Sequence, residues 1–276
     1  MPNGKGIVYY SNGNIEYEGD FINGKYEGNG KYIFENGNYY KGQYKNGLPN
    51  GKGIEYYSNG NIRYEGDFIN GEREGNGKYI FENGNYYIGP YKNGLRNGKG
   101  IEYYSNGNIK YEGDFINGER EGNGKFIYED GEYYIGEFKK GLKNGKGIIY
   151  SSNGNIEYEG EWINDKAEGN KKYNYENGDY YIGQFKNNLQ NIKGIEYSNG
   201  NIKYEGDFIN DKFKGNEKYN LINDKDYFGR MKKHLRNRKE IEYNSIGNTK
   251  YEDNFINDMH EGNGKYVYEN GEYYIG

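Results

Sequence analysis

The chain has no cysteine, three prolines and two histidines among its 276 residues. The absence of cysteine excludes disulfides and thiolate metal sites. No apolar run approaches the roughly 18 residues that a membrane-spanning helix needs. The first residues, MPNGKGIVYYSNGN, lack the apolar core of a signal peptide. These absences favour a cytoplasmic protein that uses no cofactor and no metal.

Aliphatic side chains are also scarce, because only 33% of the residues are hydrophobic and 37 of all residues are tyrosine. Such a chain cannot build a deep core of leucine and valine. An aromatic content of 18% is nevertheless far above that of disordered chains. The composition therefore predicts a fold built around aromatic rings. The net charge of −5 disfavours nucleic acid as a partner, since binding to phosphates needs a basic surface.

What the chain does contain is an internal repeat. A tyrosine that opens a Tyr-x-Gly slot recurs at steps of 46 or 47 residues, at Tyr17, Tyr64, Tyr111, Tyr158, Tyr204 and Tyr251. A second series lies between them, at Tyr40, Tyr87, Tyr134, Tyr181, Tyr227 and Tyr274. The repeat unit is thus 23 or 24 residues long, and two slightly different units alternate along the chain.

The pattern inside each unit has a period of two, which is typical of β-strands. Tyr64, Gly66 and Phe68 share one predicted strand face, for example. Asn-Gly pairs, the preferred residues of hairpin turns that need positive φ, separate the strands. They include Asn70–Gly71, Asn83–Gly84, Asn93–Gly94 and Asn106–Gly107. The sequence therefore predicts an all-β chain of tandem hairpins in one continuing antiparallel meander.

The alternation of glycine with tyrosine suggests how one layer of strands is stabilised. Glycine weakens a strand, a cost that is offset if a neighbouring ring covers the bare backbone. The rings are then the core of the array. The alternative is that this aromatic face binds a partner, with candidate residues Tyr64, Phe68, Tyr79, Tyr87, Tyr91, Tyr111, Phe115 and Tyr134.

The segment YEGDFINGEREGNGKYIFENGNYY, from Tyr64 to Tyr87, resembles the MORN (membrane occupation and recognition nexus) repeat. The motif opens with Tyr-x-Gly and continues with glycines at fixed offsets, which here are Gly66, Gly71, Gly75, Gly77 and Gly84. The segment GIEYYSNGNIKYEGDF resembles a bacterial-type variant with a YYxNG core. The resemblance covers nearly the whole chain.

This resemblance implies an elongated, twisted, single-layer antiparallel sheet that is solenoid-like. It also implies a scaffold or tether in a cytoskeletal, ciliary, junctional or division structure, and phospholipid binding has been proposed for the family. We divide the chain into a partial repeat at 1–16, a regular array at 17–226, a degenerate basic repeat at 227–250, and a terminal repeat with a partial repeat at 251–276.

Acidic and basic units alternate along the chain. Residues 64–86 carry five acidic and two basic side chains, whereas residues 87–110 carry one acidic and four basic side chains. Attraction between neighbouring hairpins explains this alternation and fixes the register of the strands. The alternative is a striped surface suited to a filament or to a second copy of the chain.

The repeat pattern weakens after residue 160. Asp165, Lys171 and Asn188 stand where earlier units have glycine. From Tyr227 to Lys250 several glycines are replaced, and we expect this to be the least regular part of the sheet. The run from Lys225 to Lys239 has a local charge of +6. It is either drift or a patch for acidic phospholipid or an acidic partner, formed by Arg230, Lys232, Lys233, Arg236, Arg238 and Lys239.

No catalytic constellation is apparent, and we expect a non-catalytic protein. The GNGK and NGKG segments lack the following Ser or Thr and the helix of a phosphate-binding loop. With no cysteine and a single threonine, the chain offers no nucleophile–base set. Trp162 occupies a slot filled elsewhere by phenylalanine and is interpreted as packing.

The leading hypothesis is a scaffold or adaptor that binds protein partners, such as an extended segment, in a cytoskeletal, ciliary or membrane-associated assembly. The alternatives are a phospholipid-binding membrane tether and a targeting module for a separate enzyme such as a lipid kinase. An open meander also has an unpaired strand at each end, so we expect self-association through the sheet edges.

Overall fold

The structure is a computed structural model of the 276-residue chain. It describes residues 1–221, 225–232, 235–243, 249–257, 259–268 and 270–276. Side chains are described for these ranges except at 215–221, 225–232, 235–240, 242–243, 253 and 260. Residues 1–142 and 143–276 form two compact units, which we treat separately.

Every regular element in the described ranges is a β-strand, as the sequence predicts. In chain order the strands are β1 (Gly4–Tyr9), β2 (Ile15–Ile22), β3 (Lys25–Ile33), β4 (Tyr39–Lys45), β5 (Leu48–Tyr56), β6 (Ile62–Ile69), β7 (Glu72–Ile80), β8 (Tyr86–Lys92), β9 (Leu95–Arg96), β10 (Gly98–Tyr103), β11 (Ile109–Ile116), β12 (Glu119–Ile127), β13 (Tyr133–Lys139), β14 (Leu142–Tyr150), β15 (Ile156–Ile163), β16 (Lys166–Asn174), β17 (Tyr180–Lys186), β18 (Leu189–Ser198), β19 (Asn201–Ile209), β20 (Lys212–Leu221), β21 (Lys225–Lys232), β22 (Leu235–Tyr243), β23 (Thr249–Ile256), β24 (Met259–Val267) and β25 (Tyr273–Ile275).

Each repeat unit is one β-hairpin, and successive strands pair antiparallel in the order of the chain within residues 1–142 and, separately, within residues 143–276. In the unit that begins at Tyr64, β6 pairs with β7, and β7 then pairs with β8 of the next unit. The short strand β9 and the strand β10 together take the place that β5 holds two repeat units earlier in the chain. Both of them pair with β8. The predicted meander of tandem hairpins is therefore confirmed.

Two kinds of turn connect the strands, although the sequence marks both with Asn-Gly. Inside each hairpin whose turn the structure describes, the turn is two residues long and both residues have positive φ, as at Asn70 (51°) and Gly71 (89°). This is the type I′ geometry, whose twist matches that of paired strands. The tight turn explains why the strands of one unit stay in register.

Most described connections between units are longer and need positive φ at the glycine only. The exception is the two-residue turn between β18 and β19, where Asn199 and Gly200 have φ of 50° and 78°. At Gly107, where φ is 90°, the amide donates to the Tyr104 carbonyl at 2.9 Å, and the Tyr104 amide donates to the Asn108 carbonyl at 2.9 Å. The Asn106 side chain accepts a hydrogen bond from the Asn108 amide at 2.9 Å. This is a type I turn closed by a glycine bulge, a second common hairpin connection.

The core lies on one face of the sheet, which we call the inner face because it carries the tyrosines of the Tyr-x-Gly slots. Along β6, Tyr64, Gly66 and Phe68 are all buried, while Glu65 and Ile69 between and beyond them are exposed. The opposite surface is called the outer face. Within residues 1–142, no second layer of secondary structure covers the inner face.

The departures from the repeat in residues 143–276 follow the expected replacements. Asp165 and Asn188 adopt the positive φ of the missing turn glycines, at 66° and 71°. Lys171 replaces a strand glycine, and its Cγ lies against Gly160 on the neighbouring strand. Trp162 is buried with 5% exposure and donates from Nε1 to the Gly147 carbonyl at 3.2 Å, which confirms its packing role.

The prediction that residues 227–250 are the least regular part of the sheet lies outside the residues whose side chains the structure describes, apart from Ile241 and the segment 249–250. The proposed division of the chain into regular, degenerate and terminal repeats stays a prediction.

Candidate functional site

Most of the described repeat tyrosines lie over glycine backbone. The Tyr64 ring covers Gly66, two residues ahead, and Gly77 on the adjacent strand β7. A Cβ atom added at Gly77 would come closer than 3.0 Å to the ring atoms of Tyr64. The same arrangement recurs under Tyr17, Tyr40, Tyr87, Tyr111 and Tyr181. The expected packing of rings on bare backbone is confirmed at these positions.

The hydroxyl of each of these rings is satisfied locally. It donates to the backbone carbonyl three residues ahead, for example from Tyr134 to Glu137 at 3.0 Å and from Tyr204 to Asp207 at 2.9 Å. Burial, together with nearby negative charge, raises the pKa of Tyr17 to about 12. Burial likewise raises the pKa of Tyr87 and of Tyr158 to about 12. These phenols are therefore neutral core groups at physiological pH.

The buried rings contact each other edge-on in a continuous series through residues 17–138. Tyr64 meets Phe68, four residues ahead, at 5.3 Å between ring centroids, and Tyr91 of the next unit at 5.1 Å. Tyr87 meets Phe115 at 5.0 Å in the same way. T-shaped pairs at this distance are favourable beyond the area that they bury. Adjacent hairpins are therefore joined by ring contacts as well as by backbone hydrogen bonds.

These contacts locate the eight residues considered as an aromatic binding face. Seven of them are buried in the ring series, namely Tyr64, Phe68, Tyr87, Tyr91, Tyr111, Phe115 and Tyr134, and their exposure is 5% or less. This burial supports their role as core. Partner binding through these rings stays a prediction.

Tyr79, the eighth, is half-buried and lies between two arginines. Arg63 donates from Nε to the Tyr79 hydroxyl at 3.2 Å, and the Arg73 guanidinium lies 4.9 Å from the ring centroid. Burial alone would raise the pKa of Tyr79, but the hydrogen bonds from Arg63 and Tyr57 and the two positive charges lower it. Tyr79 thus belongs to a polar margin of the core.

In five of the described units, the residue nine positions ahead contacts the second face of the repeat tyrosine. Tyr26 stacks on Tyr17 with centroids 3.7 Å apart, and Phe213 stacks on Tyr204 at 4.1 Å. We call this position the covering residue. Its occupants are Tyr26, Pro49, Arg73, Arg96, Arg120, Lys143, Ala167, Gln190 and Phe213. It is variable in a unit whose tyrosine and glycines are nearly constant.

Three consecutive covering residues are arginines, and we call Arg73, Arg96 and Arg120 the arginine row. Arg73 and Arg120 lie 4.8 Å from the centroids of Tyr64 and Tyr111. Arg96 lies 4.9 Å from the centroid of Phe115. Cation–π contacts of this kind hold a guanidinium flat on the ring.

Two glutamates fix the arginine row from the side. Arg73 forms an ion pair with Glu55, and Arg96 and Arg120 share Glu102, which is 8% exposed. In the described contacts Arg96 also donates to the Gly118 carbonyl. One carboxylate between two guanidiniums leaves an excess positive charge at this place.

Sequence reasoning did not identify the covering residue as a position of interest. The signal was present, because one position varies among constant neighbours in every unit. The missing information was spatial: the covering residue reaches the ring across a hairpin turn and a register shift between Gly66 and Asp67.

The predicted basic patch lies outside the described side chains. It consists of Arg230, Lys232, Lys233, Arg236, Arg238 and Lys239, and for these the structure describes at most the backbone of β21 and β22. Among the described residues, no group of three or more His, Cys, Asp or Glu side chains is arranged to hold a metal ion. No helix in the same ranges is long and apolar enough to cross a membrane.

Comparison with solved structures gives only remote likenesses. A protein of unknown function from Bacteroides caccae is 12% identical with a TM-score of 0.17, and the match covers 93% of this chain and 92% of that protein. A streptogramin B lyase structure is 12% identical with a TM-score of 0.16, and the match covers 100% of this chain and 91% of the lyase. Likeness at this level carries no argument about fold or function.

Comparison with protein families agrees with the hairpin units described above. The MORN repeat model matches residues 1–15, 17–39, 40–62, 64–86, 87–109, 111–133, 134–156, 158–180, 181–202, 204–216 and 254–273. The boundaries of these matches follow the repeat tyrosines. MORN repeats characterise a family of repeat proteins that are often involved in binding. The matched residues make up most of the sequence, and the chain therefore belongs to the MORN-repeat family.

Proposed function

We propose that this chain is a non-catalytic protein scaffold or adaptor, and that the inner face of residues 1–142 binds an extended acidic segment of a partner protein. The observation that carries the proposal is the arginine row, because it places three guanidiniums in line against the core rings. Arginine and tyrosine side chains on a rigid support are typical of binding surfaces, and the side chains of Arg73, Arg96 and Arg120 are 18%, 23% and 19% exposed.

The spacing of the arginine row suits an extended segment. Arg73 lies on β7, Arg96 on β9 and Arg120 on β12, so that one further strand separates each arginine from the next. Strands lie about 4.8 Å apart, which gives about 10 Å between arginines, close to three residues of an extended chain. A partner segment with an acidic side chain at every third position would place one carboxylate at each guanidinium.

The chemistry of the row also favours carboxylates. A guanidinium has five N–H donors. In the described contacts, Arg96 donates one hydrogen bond to Glu102 and one to the Gly118 carbonyl, and Arg120 donates two to Glu102. The remaining donors are available for charge-assisted hydrogen bonds, which are stronger than neutral ones.

The test uses a labelled peptide with glutamate at every third position and the purified full chain, with binding followed by fluorescence anisotropy. The variant replaces Arg73, Arg96, Arg120, Glu55 and Glu102 together by glutamine, because removing only the arginines would leave buried carboxylates unpaired. We expect the variant to bind at least about tenfold more weakly than the wild-type chain.

The matched control changes Lys52, Lys92, Lys99, Glu82 and Glu129 to glutamine, which removes the same three positive and two negative charges from other surfaces of residues 1–142. This control is expected to bind like the wild-type chain, and a glutamine version of the peptide is expected not to bind. Equal binding by the arginine-row variant and the wild-type chain would contradict the proposal.

The cellular setting is part of the same proposal. We infer a cytoplasmic scaffold in a cytoskeletal, ciliary or membrane-associated assembly, in keeping with the binding role that is common among MORN-repeat proteins. Imaging a tagged copy tests this inference, since a diffuse signal with no associated structure would count against it.

A second candidate function is a phospholipid tether or a targeting module for a separate enzyme, and the favouring observation is the basic run from Lys225 to Lys239. Clustered basic residues contribute about 1 kcal/mol each near an anionic membrane. The test is flotation of the chain with acidic liposomes, using a variant with Arg230, Lys232, Lys233, Arg236 and Arg238 changed to glutamate. Binding that the variant retains, or no binding by the wild-type chain, would exclude this function.

A further inference from the structure

The outer face of residues 62–127 carries a row of directly opposed side chains, one from each of six neighbouring strands. In strand order β6, β7, β8, β10, β11, β12, the row consists of Glu65, Lys78, Ile88, Ile101, Glu112 and Lys125. We call it the outer row. It lies on the surface opposite to the tyrosine core and the arginine row, so it is independent of the function proposed above.

The outer row has a property that its composition alone does not show. Written in strand order it is Glu-Lys-Ile-Ile-Glu-Lys, and in reverse order it is Lys-Glu-Ile-Ile-Lys-Glu. When one order is placed against the other, each glutamate faces a lysine and each isoleucine faces an isoleucine. A row with this property is complementary to a reversed copy of itself.

Reversal of the strand order is the result of a two-fold axis that runs parallel to the strands between two stacked sheets. Interfaces of closed dimers are of this kind, because the same patch serves both subunits. With the axis between β8 and β10, Lys78 faces Glu112 of the second copy and Ile88 faces Ile101 of the second copy. Glu65 then faces Lys125 of the second copy.

A second row beside the first has the same symmetry. Ile80, Tyr86, Tyr103 and Ile109 are paired in register on β7, β8, β10 and β11. The Tyr86 and Tyr103 rings are stacked with centroids 4.5 Å apart. This row is also unchanged on reversal, so that the same axis places tyrosines against tyrosines and isoleucines against isoleucines.

The apolar centre of this surface is open to solvent in the single chain. Ile88 is 44% exposed and Ile109 is 36% exposed, while Ile101, Tyr86 and Tyr103 are partly exposed. Six strands about 4.8 Å apart and about 27 Å long present roughly 800 Å², the size per partner of a standard specific interface.

The equivalent strands two repeat units earlier, β4 and β5, show a centre that does not fit its own reversal. There the pair that corresponds to Ile88 and Ile101 is Lys41 and Ile54, directly opposed on β4 and β5. An axis between these strands would bury an ammonium group against an isoleucine. The centre between β8 and β10 is therefore favoured over the one between β4 and β5.

We propose that this surface binds a second copy of the chain, face to face and with reversed strand order, about a two-fold axis between β8 and β10. The occupant is a second copy because the alternation of charge fits its own reversal at six consecutive strands. A different partner would have to carry the same alternation at the same spacing.

The test is sedimentation velocity of the purified full chain over a dilution series. We expect a reversible dimer, and we expect Ile88→Asp with Ile101→Asp to give a monomer with unchanged circular dichroism. Because both isoleucines are solvent-accessible in the single chain, these changes leave the tyrosine core intact.

Two charge variants make the test specific to the register. Lys78→Glu with Lys125→Glu makes the four charged positions acidic, and Glu65→Lys with Glu112→Lys makes them basic. Each variant alone is expected to dimerise about tenfold or more weakly, whereas an equimolar mixture is expected to form a heterodimer of near wild-type strength. Glu82→Lys with Glu129→Lys, the same change of charge in exposed loops, is the matched control and is expected to dimerise normally.

Two outcomes would overturn the proposal. One is a wild-type chain that stays monomeric at all concentrations. The other is a dimer that tolerates both charge variants and gains nothing from mixing them, as association through sheet edges would. Neither outcome bears on the arginine row, which is tested by peptide binding.

Discussion

The ring of Tyr64 lies against the backbone of Gly77 on the adjacent strand, so closely that no side chain fits between them. Gly77 does not have the positive φ that would itself exclude alanine. The cost of Gly77→Ala is therefore the displacement of the ring. We expect a loss of about 1–3 kcal/mol in the free energy of unfolding, as for other overpacked cores, measured by urea denaturation.

The control for this prediction is Gly60→Ala. Gly60 has a φ of 86° and open space around its Cα, so its substitution tests backbone strain without ring contact. We expect a cost of about 1–2 kcal/mol there. In a Tyr64→Ala background the cost of Gly77→Ala is expected to fall sharply, while that of Gly60→Ala stays the same. Equal costs in both backgrounds would show that the ring is not the cause.

The carboxylate shared by two arginines makes a second prediction. Glu102 serves Arg96 and Arg120, whereas Glu55 serves Arg73. Glu102→Gln leaves two guanidiniums close together without a counter-charge, and we expect it to destabilise the chain by about 1–3 kcal/mol. Glu55→Gln is expected to cost less.

Chemical denaturation measures both of these variants, with Glu129→Gln in an exposed loop as the control. The control is expected to stay within about 0.5 kcal/mol of the wild-type chain. If Glu55→Gln proved as costly as Glu102→Gln, sharing of the carboxylate would have no energetic consequence.

A residue with a strained backbone in residues 143–276 gives a prediction of increased stability. Ile192 has a φ of 69°, at a position where Gly145 has 103° and Gly98 has 106°. A β-branched residue is a conformational outlier in this region, and Ile192 is 56% exposed, so that little burial opposes its removal. We expect Ile192→Gly to stabilise the chain by about 1 kcal/mol, since relief of strain exceeds the entropic cost of glycine.

Thermal denaturation checks this change. The reciprocal substitution, Gly145→Ile, is the matched control and is expected to destabilise the chain. A lower melting temperature for Ile192→Gly would mean that its side chain contributes more than its backbone strain costs.

The buried phenols predict how stability depends on pH. The pKa of Tyr17, Tyr87 and Tyr158 is raised to about 12, chiefly by burial, from an ordinary value of 10.0. The folded chain therefore holds these protons more tightly than the unfolded chain. Their stabilising effect is complete below pH 10 and is lost as the pH rises through 12.

Tyrosinate absorbance and circular dichroism, followed together from pH 9 to pH 12.5, provide the measurement. We expect the buried tyrosines to ionise cooperatively and together with the loss of the strand signal. Ionisation of all tyrosines near pH 10 with the strand signal intact would contradict the assignment of these rings to the core.

Much of the fold could be predicted because each unit repeats the same local signals. Tyr64, Gly66 and Phe68 mark a strand face, and Asn70–Gly71 marks a turn that needs positive φ at both positions. The signals recur in nearly every unit, so chance matches are averaged out. The Asn-Gly pair at Asn106–Gly107 has the same letters but forms a different turn, because there the preceding residues Tyr104 and Ser105 extend the loop.

The candidate site was less accessible to sequence reasoning. The buried rings were considered as a binding face because alternation alone does not show what lies on top of them. Arg73 is directly opposite Phe68 in the strand ladder, yet its guanidinium covers Tyr64. This displacement depends on the register shift after Gly66, which no spacing in the sequence shows.

The two faces of each repeat tyrosine contact different kinds of residue, and this difference affects how the sequences of such arrays can diverge. One side of the ring faces glycine in most units, and the other side carries the covering residue, whose identity ranges from alanine and proline to arginine and phenylalanine. Substitutions at the covering residue change the surface that a binding partner contacts and leave the tyrosine–glycine packing beneath it unchanged. Duplication of one hairpin, followed by one substitution at its covering residue, then lengthens the array by one hairpin and gives the added surface a different side chain.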